Sequence, residues 1–204
     1  MKIEKIVATI LQANNYVVGD DKECIIIDAS AKLEDIKRVV NGRKVFGVFL
    51  THGHWDHALK IDEIQKEFNC KVYLDENAIS KLKNTNRSFY GEVLVNSQIS
   101  IENFCFLKDK EILNFGNIKI EIIKTPGHTN CSLCFKVSDD INELIFTGDT
   151  LFENGIGRCD LPTGNFSDIK ISVKKLLSLD KNLTVYPGHG GATTIYNEQI
   201  NHAF

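Results

Sequence analysis

Several things are missing from this sequence, and each absence narrows the reading. No apolar run approaches the length needed to cross a membrane, and the start, Met1-Lys2-Ile3-Glu4-Lys5, carries charge where an export signal turns apolar. A cytoplasmic protein without a membrane partner is therefore expected. There is no broad basic field either: the formal net charge is −3, so nucleic acid is not an expected partner. No Gly-x-Ser-x-Gly occurs, which removes the strand-to-helix nucleophile turn of serine hydrolases. No low-complexity tract, exact repeat or linker divides the chain, so residues 1–204 are read as one domain. A core of that size needs no disulfides. The six cysteines sit mostly in or beside apolar runs and are read as reduced small hydrophobes. Cys131-x-x-Cys134 has redox or zinc spacing, but it lacks the second pair that a structural zinc site requires, and it is read as structural.

Against that plain background one stretch is dense in chemistry. Thr51-His52-Gly53-His54-Trp55-Asp56-His57 follows the apolar run Val45–Leu50, which reads as a buried strand. If the chain leaves the strand extended, His52 and His54 point to the same side and can grip one ion. Asp56 and His57, further along a turning loop, then face a second, and Trp55 is left to pack. A helix is expected from near Ala58, so Asp56 also suits its N-terminal dipole. That role leaves three clustered histidines unexplained, whereas a metal site explains them.

The rest of the chain divides into short elements. Strands are expected at Ile6–Leu11, Tyr16–Val18, Cys24–Asp28, Lys71–Leu74, Phe104–Leu107, Ile112–Phe115, Ile118–Lys124, Leu133–Val137, Leu144–Phe146 and Leu183–Tyr186. Helices are expected at Leu33–Val40, Ala58–Phe68, Asn77–Leu82 and Ser167–Leu179, with Lys174 and Lys175 on the solvated side of the last. Asp28, at the end of an apolar strand, either caps the next segment or supports the histidine loop from beneath, and the capping role is favoured. Residues 84–100, with Arg87, Phe89 and Tyr90, have no clear period and are either a binding loop or a surface loop. The order of strands and helices suggests two similar halves.

Three prolines are few, and two of them carry the next signal. Thr125-Pro126-Gly127-His128 and Tyr186-Pro187-Gly188-His189 place the same triplet after an apolar strand each time. Proline fixes φ and glycine permits an unusual turn, so the pair can aim an imidazole off a strand end. His128 and His189 are therefore candidate ligands, while His202 fits no pattern and is read as exposed. Phe146-Thr147-Gly148-Asp149-Thr150 adds a carboxylate at a strand end, able to bridge two cations.

These segments, with Gly155–Pro162, run in the order found in metallo-β-lactamase-fold hydrolases, which the chain resembles through most of its length. The resemblance implies an α/β fold, a four-layer αβ/βα sandwich of two mixed β-sheets flanked by helices. It implies a first metal held by His52, His54 and His128, a second held by Asp56, His57 and His189, and Asp149 as the bridge. Two divalent ions are implied, zinc first, with iron or manganese as alternatives. Gly148–Phe152 and Gly155–Arg158 look most like the glyoxalase II group, and residues 157–162 resemble its short bacterial branch. That group hydrolyses hydroxyacylglutathione thioesters, so the expected substrate is a small anionic thioester, with Asp56 and Asp149 at the reaction centre and Arg158 gripping a substrate carboxylate. The longer enzymes carry a C-terminal helical region after the last ligand, whereas this chain ends soon after His189; a looser thiol pocket is expected. The absent export signal and the bridging Asp149 argue against an antibiotic β-lactamase, and His54 against the diiron flavoproteins. The rival readings are a persulfide dioxygenase with one iron on His52, His128 and Asp149, another hydrolase of the fold such as a lactonase, and a catalytically idle binding module.

Overall fold

In the computed structural model, residues 1–82, 99 and 101–201 are described, so most of the expected loop 84–100, and His202, lie outside the described residues. The chain forms two compact units, Met1–Leu107 and Lys108–Phe204. Among the described residues no helix is long and apolar enough to cross a membrane.

The first unit holds a six-stranded sheet in sequence order. Strands β1 (Lys2–Val7), β2 (Asn14–Gly19) and β3 (Glu23–Ile27) form an antiparallel meander. Helix α1 (Leu33–Val40) then crosses to β4 (Lys44–Phe49), which runs parallel to β3. Two short helices, α2 (Trp55–Ala58) and α3 (Ile61–Phe68), lead to β5 (Lys71–Leu74), parallel to β4. Helix α4 (Ala78–Leu82) follows, and β6 (Phe104–Phe106) completes the parallel half. Ile25, Ile26, Ile27, Val48 and Phe49 are almost fully buried, as expected for inner strands of a sheet covered on both faces. Helices α1 and α3 stop by the same device: Asn41 and Asn69 take the left-handed conformation and return their N–H groups to carbonyls of the last turn.

Two expectations fail here for visible reasons. The first strand ends at Val7, not Leu11. Lys2–Val7 pairs with Gly19–Asn14, so the chain must reverse between them. Ala8 N–H donates to Ala13 O at 2.8 Å, and Leu11 and Gln12 have positive φ. The apolar Ile10 and Leu11 are turn residues. The single helix expected over Ala58–Phe68 starts earlier, at Trp55, and is broken at Leu59-Lys60. Ala29 intercepts it: Ala29 N–H donates to His57 O (2.7 Å), and Lys60 N–H donates to Ala29 O (2.8 Å). Those bonds replace helical ones, and Lys60 leaves helical geometry with φ −115° and ψ 14°.

The second unit holds the other six-stranded sheet. β7 (Ile112–Phe115), β8 (Ile118–Lys124), β9 (Leu133–Ser138) and β10 (Glu143–Gly148) are successive antiparallel neighbours, with Asn114–Asn117 at the first hairpin as its sequence suggests. A small hairpin of β11 (Leu151–Phe152) and β12 (Gly155–Ile156) precedes helix α5 (Phe166–Leu177). The chain returns as β13 (Thr184–Pro187), parallel to β10, then β14 (Thr193–Thr194) and helix α6 (Ile195–Asn201). Asn165 caps α5 by accepting from Asp168 N–H at 3.1 Å. Ile169, Val173 and Leu176, at helical spacing, bury against Ile123, Cys134, Ile145 and Val185. Truncating Leu176 to Ala would cost about 2–5 kcal/mol. Lys174 is solvated, but Lys175 bonds Asp109 at 3.1 Å. The hairpin β11–β12, β14 and α6 carry too little pattern to be read from the sequence.

Candidate functional site

In the first unit the donor-rich loop leaves β4 beside the end of β3. The parallel register sets Ile27 against Phe49, and Asp28 N–H donates to Phe49 O at 3.0 Å. This aims the Asp28 carboxylate at the next turn. It accepts from Thr51 N–H (2.8 Å), from Thr51 Oγ1 (2.9 Å) and from His57 Nδ1 (2.7 Å). Asp28 is therefore a support and not a cap: α1 is entered from Lys32 with no side-chain cap bond. An ionised carboxylate only accepts, so His57 carries its proton on Nδ1 and turns Nε2 outward as a lone pair. The Thr51 hydroxyl spends its one hydrogen on Asp28. It thus accepts from His52 Nδ1 (3.1 Å), leaving the lone pair of His52 on Nε2 as well. His52 Nε2 lies 3.1 Å from His54 Nδ1, as the extended-chain argument predicts. Asp56 Oδ2 stands 3.7 Å from His57 Nε2. His52, Asp56 and His57 are buried, and Trp55 packs inward.

The second unit presents its donors from three strand ends. After β8 the chain turns at Gly127, whose φ is +139°; a Cβ there would sit 2.3 Å from the backbone of Ile169, so the residue must be glycine. The turn delivers His128, whose Nδ1 donates to Arg158 O at 2.7 Å and leaves Nε2 as the lone pair. Gly157 lets that segment approach: a Cβ would lie 1.8 Å from Asp149 O. Asp149 follows β10, and β13 runs parallel alongside, with Gly188 N–H donating to Gly148 O at 2.8 Å. This brings His189 beside Asp149, with the ring of Phe152 edge-on at 6.2 Å. Asp149 Oδ2 lies 3.5 Å from His128 Nε2 and 3.6 Å from His189 Nε2. His128 thus turns a lone pair towards a carboxylate oxygen across a gap too long for a hydrogen bond. That arrangement is repulsive unless a cation or proton stands between them, so the donor set fits a divalent metal.

Arg158 is engaged differently from what its expected role suggests. Its guanidinium makes a two-pronged pair with Asp160, at 2.8 and 2.7 Å, on the exposed surface. The arginine holds the Asp160 carboxyl down at about 2. The backbone of Arg158, not its side chain, supports the donors by fixing His128. Sequence reasoning missed this carbonyl, which no side-chain signal marks. It also undervalued Asp28, although an apolar strand ending in a carboxylate is the same signal that singled out Asp149.

The family model described as Metallo-beta-lactamase superfamily matches residues 8–189. A probable metallo-hydrolase of Streptococcus pyogenes is 32% identical, over 100% of this chain and 90% of its own length. The hydroxyacylglutathione hydrolase GloC of Haemophilus influenzae is 31% identical, over 100% of this chain and 98% of its own length. Among solved structures, the BLEG-1 B3 metallo-beta-lactamase superposes with a TM-score of 0.87 at 28% identity, covering 98% of this chain and 97% of that one.

Proposed function

The chain belongs to the metallo-beta-lactamase superfamily, with that fold's two mixed β-sheets flanked by helices and its metal-dependent hydrolase chemistry, and from this premise we propose that it hydrolyses small anionic thioesters of the hydroxyacylglutathione kind. The observation that carries the proposal is the set of donors each unit presents, His52, His54, Asp56 and His57 in the first and His128, Asp149 and His189 in the second, with the tautomers of His52, His57 and His128 already fixed so that Nε2 is the ligand atom. The likeness to GloC supports the thioester as the bond.

In this reading His52, His54 and His128 would hold one divalent ion, Asp56, His57 and His189 the other, and Asp149 would be shared between them. Zinc suits the imidazole and carboxylate donors. Bound divalent ions supply Lewis acidity and bring the pKa of water from ~15.7 to near ~7. The chain's own contribution is orientation and charge. Asp28 and the Arg158 carbonyl keep two imidazoles from turning, which saves reorganisation when a substrate arrives. Asp56 and Asp149 cancel half of the charge of two divalent ions, so the centre stays positive and favours an anionic substrate. To grip a substrate carboxylate, Arg158 must exchange Asp160 for it.

The test offers S-lactoylglutathione and glutathione persulfide to metal-loaded protein while thiol release and dissolved oxygen are followed. Thiol release from the thioester without oxygen uptake is the expected result. Oxygen uptake with the persulfide, and no thiol from the thioester at any metal loading, would show a single-iron dioxygenase instead.

A further inference from the structure

The Cys131-x-x-Cys134 pair has a use that its spacing does not suggest. Neither thiol is in a disulfide, and both are buried. Each touches a threonine flanking the turn that carries His128: Cys131 Sγ lies 3.2 Å from Thr129 Oγ1, and Cys134 Sγ lies 3.2 Å from Thr125 Oγ1. Cys134 is the better placed of the two. It stands on β9, the strand between β8 and β10, whose ends lead to His128 and Asp149. Its Sγ also reaches Thr147 O at 3.6 Å, and Thr125 Oγ1 lies 3.0 Å from Thr150 Oγ1.

The proton directions along this chain follow from what each group can do. The Thr147 carbonyl only accepts, so the Cys134 S–H donates to it. A thiol has one hydrogen, so the Thr125 hydroxyl donates to Sγ. Thr125 has then spent its own hydrogen, and Thr150 O–H donates to Thr125. The result is one directed run, Thr150 to Thr125 to Cys134 to the Thr147 carbonyl, across three neighbouring strand ends. Thr150 is adjacent to Asp149, and Thr150 N–H closes the same turn on Thr147 O at 3.0 Å. Burial pushes the Cys134 thiol up to about 12, so its hydrogen is present throughout the working pH range.

We propose that Cys134 is a positioning residue whose S–H ties the loop bearing His128 to the turn bearing Asp149, and so sets the spacing of two metal donors. This rests on the metal-centre reading above. A packing role alone would rank substitutions by shape; the bonding role ranks them by hydrogen bonds. Cys134→Ser keeps a donor and an acceptor, while Cys134→Val fills the space and has neither.

The experiment titrates the apo forms of wild type, Cys134→Ser and Cys134→Val with zinc against a competing chelator, and with cobalt(II) followed by visible absorption. Thermal melting of each apo form is measured alongside. Cys134→Val is expected to bind zinc about 10–100-fold more weakly and to shift the cobalt bands, with Cys134→Ser close to wild type. Thr125→Val breaks the same run without touching the thiol, so it is expected to reproduce the shift even if Cys134→Val does not fold. Wild-type affinity and an unchanged cobalt spectrum in Cys134→Val and Thr125→Val would overturn the inference alone, as would equal damage in Cys134→Ser. A wild-type protein that takes up neither metal would overturn the metal-centre reading itself.

Discussion

The two units solve the same local problem with opposite uses of a carboxylate. In each, two strands run parallel with a register shift: β3 beside β4, with the irregularity at Cys24/Ile26 in mid-strand, and β10 beside β13, with it at Phe146/Gly148 at the strand end. In each, an aspartate follows the first strand and at least one histidine follows the second: His52, His54 and His57 after β4, and His189 after β13. Asp28 is filled by donors, two from Thr51 and one from His57. Asp149 instead has two imidazole Nε2 atoms at 3.5 and 3.6 Å. A carboxylate at a strand end is thus a brace where N–H and O–H groups surround it, and a candidate ligand where imidazole Nε2 atoms do.

Removing the candidate ligand carboxylate should have the largest effect. Asp149→Ala is expected to lower kcat by more than the roughly 10–100-fold typical of a supporting residue, because it would delete the proposed bridge. Steady-state kinetics with S-lactoylglutathione, after metal reloading, checks this. A mere rise in KM would put Asp149 on a level with a binding residue and break the comparison.

Asp28→Asn comes next. The amide keeps the shape but offers only one accepting oxygen to three donors. Metal affinity is expected to fall about 10–100-fold, and stability by about 1–3 kcal/mol, read from chelator competition and from denaturant unfolding of the apo protein. If Asp28→Asn costs as much kcat as Asp149→Ala, the division into brace and ligand is wrong.

Arg158→Ala should have the smallest effect, a rise in KM for anionic thioesters with kcat near wild type, because the carbonyl that holds His128 survives. Its pair with Asp160 also predicts a pH behaviour. The Asp160 carboxyl is lowered from 3.8 to about 2, so whatever the pair stabilises is present above 3.8 and lost as pH falls towards 2. The pair therefore contributes no change in KM across neutral and mildly acid pH. Asp160→Asn is expected to lower KM by releasing the arginine, and a KM that rises instead would mean that the pair itself shapes the site.

The sequence made legible what depends on local pattern. The bounds of α1, β5, β7 and β8 match the expected ones; His52, His54, His128, Asp149 and His189 follow strand ends, while Asp56 and His57 lie on the short helix α2 where the sequence suggests a turning loop. The illegible part depended on which strands are neighbours. Asp28 reads as a cap until β3 and β4 are known to lie side by side. The break at Leu59-Lys60 is set by the backbone of Ala29, distant in sequence and featureless as a side chain. The hairpin β11–β12 is too short to show alternation, yet it places Phe152 against His189.

The carbonyl of Arg158 has a consequence for how such a protein can change. The histidine it orients is held by main chain, which every residue type supplies, whereas the guanidinium stands exposed and pairs with a neighbour two positions on. Position 158 is therefore decoupled: the side chain can be exchanged while the imidazole beneath keeps its tautomer and aim. Under the proposed function, drift or selection can retune which acyl groups are welcomed there at little risk to the metal donors, so new preferences can arise by single steps.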